Sequence, residues 1–240
     1  MDMSVERSKD LGKMSAEKAV ALTHFQLGNR YKERGQYDRA IGEYMNAITL
    51  DGHLAEAYNN LGIVYKHMDH YEKAIERYQQ AIRINPNLSQ AHDNLGVAYL
   101  EMGLNDEAIA AFQKAIEANP NNPRAYHNLG AAYENKGQFE DAIYSYKMAV
   151  QLDPTLMEAF NNLGIIYGKM KAFDQSIEAF KKAIELNPHD AELPFNLGLT
   201  YRKKGMREEA IREYEEAIRI LPDFKEARKN LSAIKVERRC

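Results

Sequence analysis

Tryptophan is absent from these 240 residues, and Cys240 is the single cysteine. One cysteine cannot close a disulfide within the chain, which fits a reducing compartment and predicts a cytoplasmic location. No apolar run is long enough for a transmembrane helix, so we expect no membrane insertion. The segment Met1–Asp10 lacks the apolar core of a secretory signal. The formal net charge is only −3, so charge gives no case for a nucleic-acid partner.

The residue patterns of catalysis and metal binding are also missing. No glycine-rich phosphate loop is present, because the glycines recur at long intervals rather than in a cluster. No serine or cysteine nucleophile stands with a base in a known motif. His67 and His70 have a spacing that suits a metal ion, but no third ligand of matching spacing follows. We therefore predict no enzyme activity, no cofactor and no metal site.

The chain contains instead a strict internal repeat. The motif Leu-Gly-x-x-Tyr occurs six times at a spacing of 34 residues. A period of this size indicates stacked helical units rather than one closed core. The leucine and glycine of each copy are Leu27-Gly28, Leu61-Gly62, Leu95-Gly96, Leu129-Gly130, Leu163-Gly164 and Leu197-Gly198.

Each repeat unit reads as a pair of helices when the glycine is placed eighth. Apolar residues recur at helical steps in both halves, a turn separates the halves, and proline follows the second half in five units. We predict a flexible tail over residues 1–14, six units within 15–224, and a capping helix over 225–240. The units are 21–54, 55–88, 89–122, 123–156, 157–190 and 191–224.

The repeated glycine predicts close packing between the two helices of a unit. A glycine inside a helix costs about 0.5–1 kcal/mol relative to alanine, so something must offset six of them. The second half of every unit supplies a small residue and then a large aromatic one, which we expect to fill the space beside the glycine. These aromatic residues are Tyr44, Tyr78, Phe112, Tyr146, Phe180 and Tyr214.

The pattern of Leu-Gly-x-x-Tyr followed by alanine, aromatic, alanine and proline resembles the tetratricopeptide repeat. The resemblance covers residues 21–224. It implies an all-α, right-handed αα-solenoid of six helix pairs plus a capping helix, with the first helices lining a concave groove. It also implies a non-catalytic scaffold that binds a protein or an extended peptide. The alternative is a structural protein that self-associates into a homo-oligomer through its terminal or convex faces.

An asparagine recurs at the sixth place of the units, as Asn60, Asn94, Asn128, Asn162 and Asn196. Asparagine is a mediocre helix former, and its carboxamide offers both donors and an acceptor. On the groove side, such a series would pair with the backbone amides of an extended ligand. A structural role, in hydrogen bonds between neighbouring helices, explains it equally well. The series resembles the asparagine array in the repeats of O-GlcNAc transferase; nothing matches that enzyme's catalytic domain.

Specificity is predicted to come from residues that flank the asparagines. The ninth place is apolar from the second unit onward, which suits alternate side chains of a strand-like ligand or, equally, partial burial between helices. Cations gather toward the C-terminal end, where residues 201–240 hold a balance of +4. The flanking candidates for the peptide-binding groove are Ile63, Val97, Ile165, Lys66, Arg124, His127, Lys169, Arg202 and Lys203.

Some tetratricopeptide proteins clamp the C-terminal carboxylate of heat-shock chaperones, and this sequence predicts no such clamp. The asparagines are present, but Phe25, Gln90 and Asn94 stand where the clamp needs cations. Two other departures concern the helices themselves. Pro194 predicts a late or distorted start to its helix, and Gly168 predicts a soft point in the fifth unit.

Overall fold

The helices follow the 34-residue period of the sequence. A computed structural model describes the backbone of residues 3–236 and the side chains of residues 16–236. In that part the chain forms thirteen α-helices and no strand. They are α1 (Met3–Glu33), α2 (Tyr37–Leu50), α3 (Ala55–His67), α4 (Tyr71–Ile84), α5 (Ser89–Glu101), α6 (Asn105–Ala118), α7 (Pro123–Asn135), α8 (Phe139–Leu152), α9 (Met157–Lys169), α10 (Phe173–Leu186), α11 (Glu192–Lys204), α12 (Arg207–Ile220) and α13 (Lys225–Val236).

The turn inside each helix pair needs one residue with a left-handed backbone. Four turns place a glycine there, with φ between +67° and +85°. Asp69 and Lys171 occupy the same place in the second and fifth pairs, with φ of 59° and 61°. A left-handed backbone costs a residue with a side chain roughly 1–2 kcal/mol, so these two turns are less favourable than the glycine turns.

Pro194 changes the start of its helix, as predicted. Helices α3, α5, α7 and α9 all begin at the first place of their unit, but α11 begins one place later, at Glu192. Pro194 then falls in the first turn, where a missing backbone donor costs nothing. Gly168 does not interrupt its helix, because α9 continues through it to Lys169. The soft point at Gly168 stays a prediction, because a continuous helix does not measure local stability.

The chain divides into two compact units, Met1–Pro120 and Asn121–Cys240. Below, the first unit and the second unit mean these two parts, and the 34-residue segments are called repeats. The first unit holds buried clusters around Tyr44 and Tyr78. The second holds clusters around Tyr146 and around Tyr214. Within each unit, first and second helices of a pair pack on each other and on the helices of the next pair. Each unit thus buries its apolar residues between successive helix pairs, as expected of a repeat fold.

The aromatic residue of each second helix lies directly on the glycine of the first helix. In the second pair, a Cβ built on Gly62 would lie 2.6 Å from Tyr78 Cε1 and 3.1 Å from the carbonyl oxygen of Ala74. The other five pairs have the same contact, at 2.5–2.8 Å to the ring. The six rings are at most 2% exposed. Close helix packing over glycine, as predicted from the sequence, is confirmed.

The first helix begins earlier than the sequence predicted. Helix α1 already begins at Met3, whereas the sequence predicted no helix before residue 15. Residues 3–14 contain no proline, so nothing in the backbone stops the helix from continuing toward the N-terminus. The flexibility of residues 1–14 stays a prediction.

Helix α13 packs against α12 and is the last helix of the described residues. It buries Ala227 and Ile234, while Arg228, Lys229 and Ser232 are exposed. One apolar side and one polar side are what a capping helix requires. The all-α fold of six helix pairs plus a capping helix is confirmed. Residues 237–240 lie outside the described residues, and the superhelical sense stays a prediction.

The ring contact at glycine predicts opposite effects of the same substitution at two places. Gly62→Ala forces a Cβ against Tyr78 and a backbone carbonyl, so we expect a loss of about 1–3 kcal/mol in the free energy of unfolding. Gly42→Ala, in the exposed middle of α2 with nothing within 4 Å of its Cβ, is the control and gains about 0.5–1 kcal/mol. Urea unfolding measures both. Equal effects of the two substitutions would contradict the packing role of Gly62.

Candidate functional site

The candidate side chains all lie on first helices. Helix α3 carries Asn60, Ile63 and Lys66, and helix α5 carries Asn94 and Val97. In the second unit, α7 carries Arg124, His127 and Asn128; α9 carries Asn162, Ile165 and Lys169; α11 carries Asn196, Arg202 and Lys203. Arg124, Lys169 and Lys203 are exposed, and the other candidates are half-buried. Side chains at these depths can both contact neighbouring helices and meet a ligand.

In the first unit the asparagines form a chain of hydrogen bonds across three helices. Asn94 Nδ2 donates to Asn59 Oδ1 at 2.9 Å, and Asn59 Nδ2 donates to Asn60 Oδ1 at 3.3 Å. Asn60 Nδ2 donates to Asn29 Oδ1 at 2.8 Å. Asn94 and Asn59 each use one N–H in this chain, which leaves a second N–H for another acceptor, whereas Asn60 also hydrogen-bonds the Tyr44 hydroxyl. The amides thus connect α1, α3 and α5 and keep donor capacity.

The sequence analysis did not assign Asn59 to the site, although it is the most deeply placed member of this chain. Its side chain is 6% exposed and accepts the bond from Asn94. The signal was present, since Asn59 precedes Asn60 in the sequence and lies at the fifth place, where the other repeats carry phenylalanine, aspartate, histidine or asparagine. A buried carboxamide needs partners, and here the neighbouring helices supply them.

The tyrosines at the back of the first unit differ in their hydroxyl groups. Tyr44 Oη donates to Asn29 Oδ1 at 2.7 Å. Tyr78 Oη, at the same place in the next pair, is buried without a hydrogen-bond partner. Ile63 stands at the ninth place of the second repeat, where the first repeat carries Asn29. The hydroxyl of Tyr78 therefore lacks the amide acceptor that Tyr44 has. Burial raises the pKa of both phenols, so both stay protonated at neutral pH.

The second unit has a network of a different composition. Asn162 Nδ2 lies 3.2 Å from His127 Nε2 and donates to Tyr146 Oη at 3.2 Å. Tyr146 Oη donates to Glu134 at 3.2 Å, and Lys169 Nζ donates to the other carboxylate oxygen of Glu134 at 2.8 Å. The network joins α7, α8 and α9.

Burial lowers the pKa of His127 below its ordinary value, and Arg124 acts in the same direction. A hydrogen bond with Asn128 and the charge of Glu158 act the other way. The imidazole is therefore neutral at pH 7, so Nε2 can accept the hydrogen bond from Asn162. His127 acts here as a polar connector between helices and not as a cation.

Four of the predicted residues line one pocket in the second unit. The pocket has a volume of about 190 Å³, and Ile165, Lys169, Asn196 and Lys203 contribute to its walls. Gly164, Gly168, Phe180, Leu199 and Thr200 complete the lining. Two ammonium groups, a carboxamide and apolar side chains thus surround one small space between α9 and α11.

Other predicted residues are not brought into that pocket. Arg202 donates to Asn230 Oδ1 at 3.2 Å, which turns it toward α13. Arg124 lies at the start of α7, and Lys66 lies at the end of α3 in the other unit. The apolar Ile63 also contributes to packing, against the cluster around Tyr78.

Comparison with protein families agrees with this architecture. The family model described as "Cilia and flagella-associated protein 70 C-terminal domain", a tetratricopeptide repeat (TPR) region, matches residues 52–240. A second model, described as "TPR repeat", matches residues 28–69. The chain belongs to the TPR family.

Solved TPR structures resemble the chain over most of its length. YrrB, reported as a TPR protein with an unusual peptide-binding site, is 26% identical with a TM-score of 0.68, over 78% of this chain and 96% of YrrB. MamA is 28% identical with a TM-score of 0.64, over 67% of this chain and 94% of MamA. PilF from Pseudomonas aeruginosa is 17% identical with a TM-score of 0.78, over 91% and 99%, which shows the fold alone. Curated protein sequences give no match.

A larger pocket lies away from the first-helix candidates, in the first unit, and the sequence analysis missed it. It has a volume of about 610 Å³ and is lined by residues of α4, α5 and α6, among them Ile82, His92, Leu95, Tyr99 and Ala111. The corresponding pocket of α8, α9 and α10 measures about 290 Å³ and carries Phe160 where His92 stands. A histidine at this aromatic place of a TPR was the available signal.

Two kinds of site are not found in the described part of the chain. Residues 16–236 contain no group of three histidine, cysteine, aspartate or glutamate side chains arranged to hold a metal ion. No helix among the described residues is long and apolar enough to cross a membrane.

The two buried tyrosines predict a contrast in stability. Tyr78→Phe removes a hydroxyl that has no partner, so we expect the free energy of unfolding to stay unchanged or to rise. Tyr146→Phe, at the same place of another TPR, breaks bonds to Glu134 and Asn162, and we expect a loss of about 0.5–1.5 kcal/mol. Thermal unfolding of the two variants checks this, and a larger loss for Tyr78→Phe would contradict the network.

Proposed function

We propose that this chain is a non-catalytic protein-interaction scaffold whose first-helix faces bind an extended segment of a partner protein. A first-helix face here means the side of α3 and α5, or of α7, α9 and α11, that carries the candidate asparagines. The observation that carries the proposal is the pocket of about 190 Å³ that gathers Ile165, Lys169, Asn196 and Lys203. Residues selected by repeat position alone come together there around one space.

The asparagines supply the means to hold a backbone. In the first unit, Asn94 uses one N–H within the amide chain, so its second N–H group is free to donate to a peptide carbonyl. Because the amide chain fixes these side chains before a ligand arrives, binding costs less conformational entropy. The structural and the ligand-binding interpretations of the asparagines therefore support each other in this proposal.

The neighbouring apolar residues supply selectivity. Ile63 and Val97 are half-buried beside the asparagines of the first unit, and Ile165 and Leu199 take that place in the second. An extended peptide turns alternate side chains toward the surface it lies on, and these would contact the apolar residues. YrrB, which is 26% identical to this chain, is reported as a TPR protein with an unusual peptide-binding site, and this supports a peptide as the ligand.

Several expectations of the sequence analysis stay predictions. They are the cytoplasmic location, the lack of a nucleic-acid partner, the lack of catalysis, and the resemblance of the asparagine series to that of O-GlcNAc transferase. Self-association through terminal or convex faces stays the alternative function.

Peptides selected from a displayed random library against the purified chain test the proposal. A double variant, Val97→Arg with Ala131→Arg, places one bulky cation on the first-helix face of each unit. We expect it to weaken the selected peptides by at least about tenfold in Kd, equivalent to about 1.4 kcal/mol, because the side chains block the face. Isothermal titration calorimetry measures the loss, and circular dichroism verifies the fold.

The matched control is Ala110→Arg, which adds the same side chain to α6 beside the larger pocket. It should leave the affinity within about twofold. If Ala110→Arg removes binding and the double variant does not, the ligand binds the larger pocket and the first-helix proposal is wrong. A library that yields no binder contradicts the scaffold function itself.

A further inference from the structure

The pocket between α9 and α11 exists because one side chain is missing. Gly168 stands at the twelfth place of its 34-residue repeat, where other repeats carry Lys66, Glu134 and Arg202. A Cβ built there would lie 3.4 Å from Ser176 Oγ and 4.0 Å from Thr200 Oγ1. The absence of a side chain at this place therefore leaves a small space beside Thr200, and any longer residue would occupy that space.

Thr200 lines the pocket, Ser176 is buried next to it, and both hydroxyl groups already donate hydrogen bonds to backbone carbonyl oxygens. Ser176 Oγ donates to the carbonyl of Gly164 at 2.7 Å, and Thr200 Oγ1 donates to the carbonyl of Asn196 at 3.0 Å. The two hydroxyls lie 3.2 Å apart and are buried. Because these bonds are internal, the donors left for a ligand are the Asn196 amide and the lysines.

The charge of the pocket has one sign. Lys169 and Lys203 stand at the thirteenth place of successive 34-residue repeats. No carboxylate is among the residues that line the pocket. Lys169 is partly neutralised by Glu134 at 2.8 Å. Lys203 forms no ion pair with any residue of the described part, whereas its neighbour Lys204 is paired with Asp174. Lys203 thus places an ammonium group at a pocket that is lined by no carboxylate.

The apolar wall limits what kind of anion fits. Ile165, Leu199 and Phe180 line the same space, so a bound group must present methylene carbon as well as charge. A glutamate or aspartate side chain has this form, with an aliphatic stem and a terminal carboxylate. Charge-assisted hydrogen bonds from ammonium groups to carboxylate are roughly twice as strong as neutral ones.

We propose that the pocket of Lys169, Asn196 and Lys203 binds the carboxylate side chain of a glutamate or aspartate in the partner's extended segment. This rests on the proposed function, since it assigns one side-chain preference to the first-helix face of the second unit. The carboxylate lies between Lys203 and Asn196, and its stem packs on Leu199 and Ile165. The site binds an acidic side chain within the segment and does not require a free C-terminus.

The experiment uses peptides selected from the random library and synthesised with amidated C-termini. Each peptide is compared with a version in which its acidic residues are changed to the matching amides. We expect the selected peptides to be enriched in glutamate and aspartate. We expect the amide versions to bind about tenfold more weakly to the unmodified chain in calorimetry.

The matched protein variants are Lys203→Gln and Lys204→Gln, which remove the same charge from adjacent residues. Lys203→Gln should weaken the acidic peptide about tenfold but leave its amide version unchanged, because the interaction has already been removed. Lys204→Gln should leave both affinities within about twofold. Raising the salt concentration should weaken the acidic peptide more than its amide version.

The outcomes separate this inference from the proposed function. If peptides bind the first-helix face but acidic and amide versions bind equally, the inference is wrong and the function stands. Equal effects of Lys203→Gln and Lys204→Gln would reduce the preference to general charge and also overturn it. If the selected peptides bind when synthesised with a free C-terminus but not when amidated, the pocket binds a terminal carboxylate instead. A chain that binds none of the library peptides contradicts both proposals.

Discussion

The contact between an aromatic ring and a glycine is the constraint on which the rest of this structure depends. In every helix pair the ring occupies the volume that a glycine Cβ would take, 2.5–2.8 Å away. Six glycines in helices would be unfavourable on their own, at about 0.5–1 kcal/mol each. Burial of a large ring against the backbone offsets that cost, because a buried aromatic side chain is worth about 1.5–3 kcal/mol. The pair of helices is thus closed by apolar packing on one side of the first helix.

The other side of the first helix then becomes available for polar residues. The leucine and glycine face the second helix, so the asparagine directly before the leucine lies at the edge of that contact and reaches the preceding first helix. In the first unit this produces the amide chain from Asn94 to Asn29. In the second unit it produces the network of Asn162, His127 and Tyr146. The same geometry leaves a pocket where Gly168 provides no side chain.

The sequence predicted the fold well because the repeat imposes the same contact many times. Leu61-Gly62 and Tyr78 recur in register, and each copy reinforces the interpretation of the others. The late start of α11 followed from Pro194 alone, by the local geometry of proline. The site was harder to predict, because the partners of a polar side chain come from adjacent repeats. The bond between Asn94 and Asn59 joins residues 35 apart, and no local rule indicates which of several amides will meet. The pocket at Gly168 depends on an absent side chain, which the sequence suggested only as a weak point in a helix.

Chemical-shift mapping of the isotopically labelled chain with a selected acidic peptide tests the central claim most directly. The account predicts that the largest changes occur on first helices, at the side-chain amide of Asn196 and at the backbone amides around Lys203. Residues of the second helices, such as Ala110 in α6, should change little. Changes confined to second-helix residues, with Asn196 and Lys203 unaffected, would contradict the account.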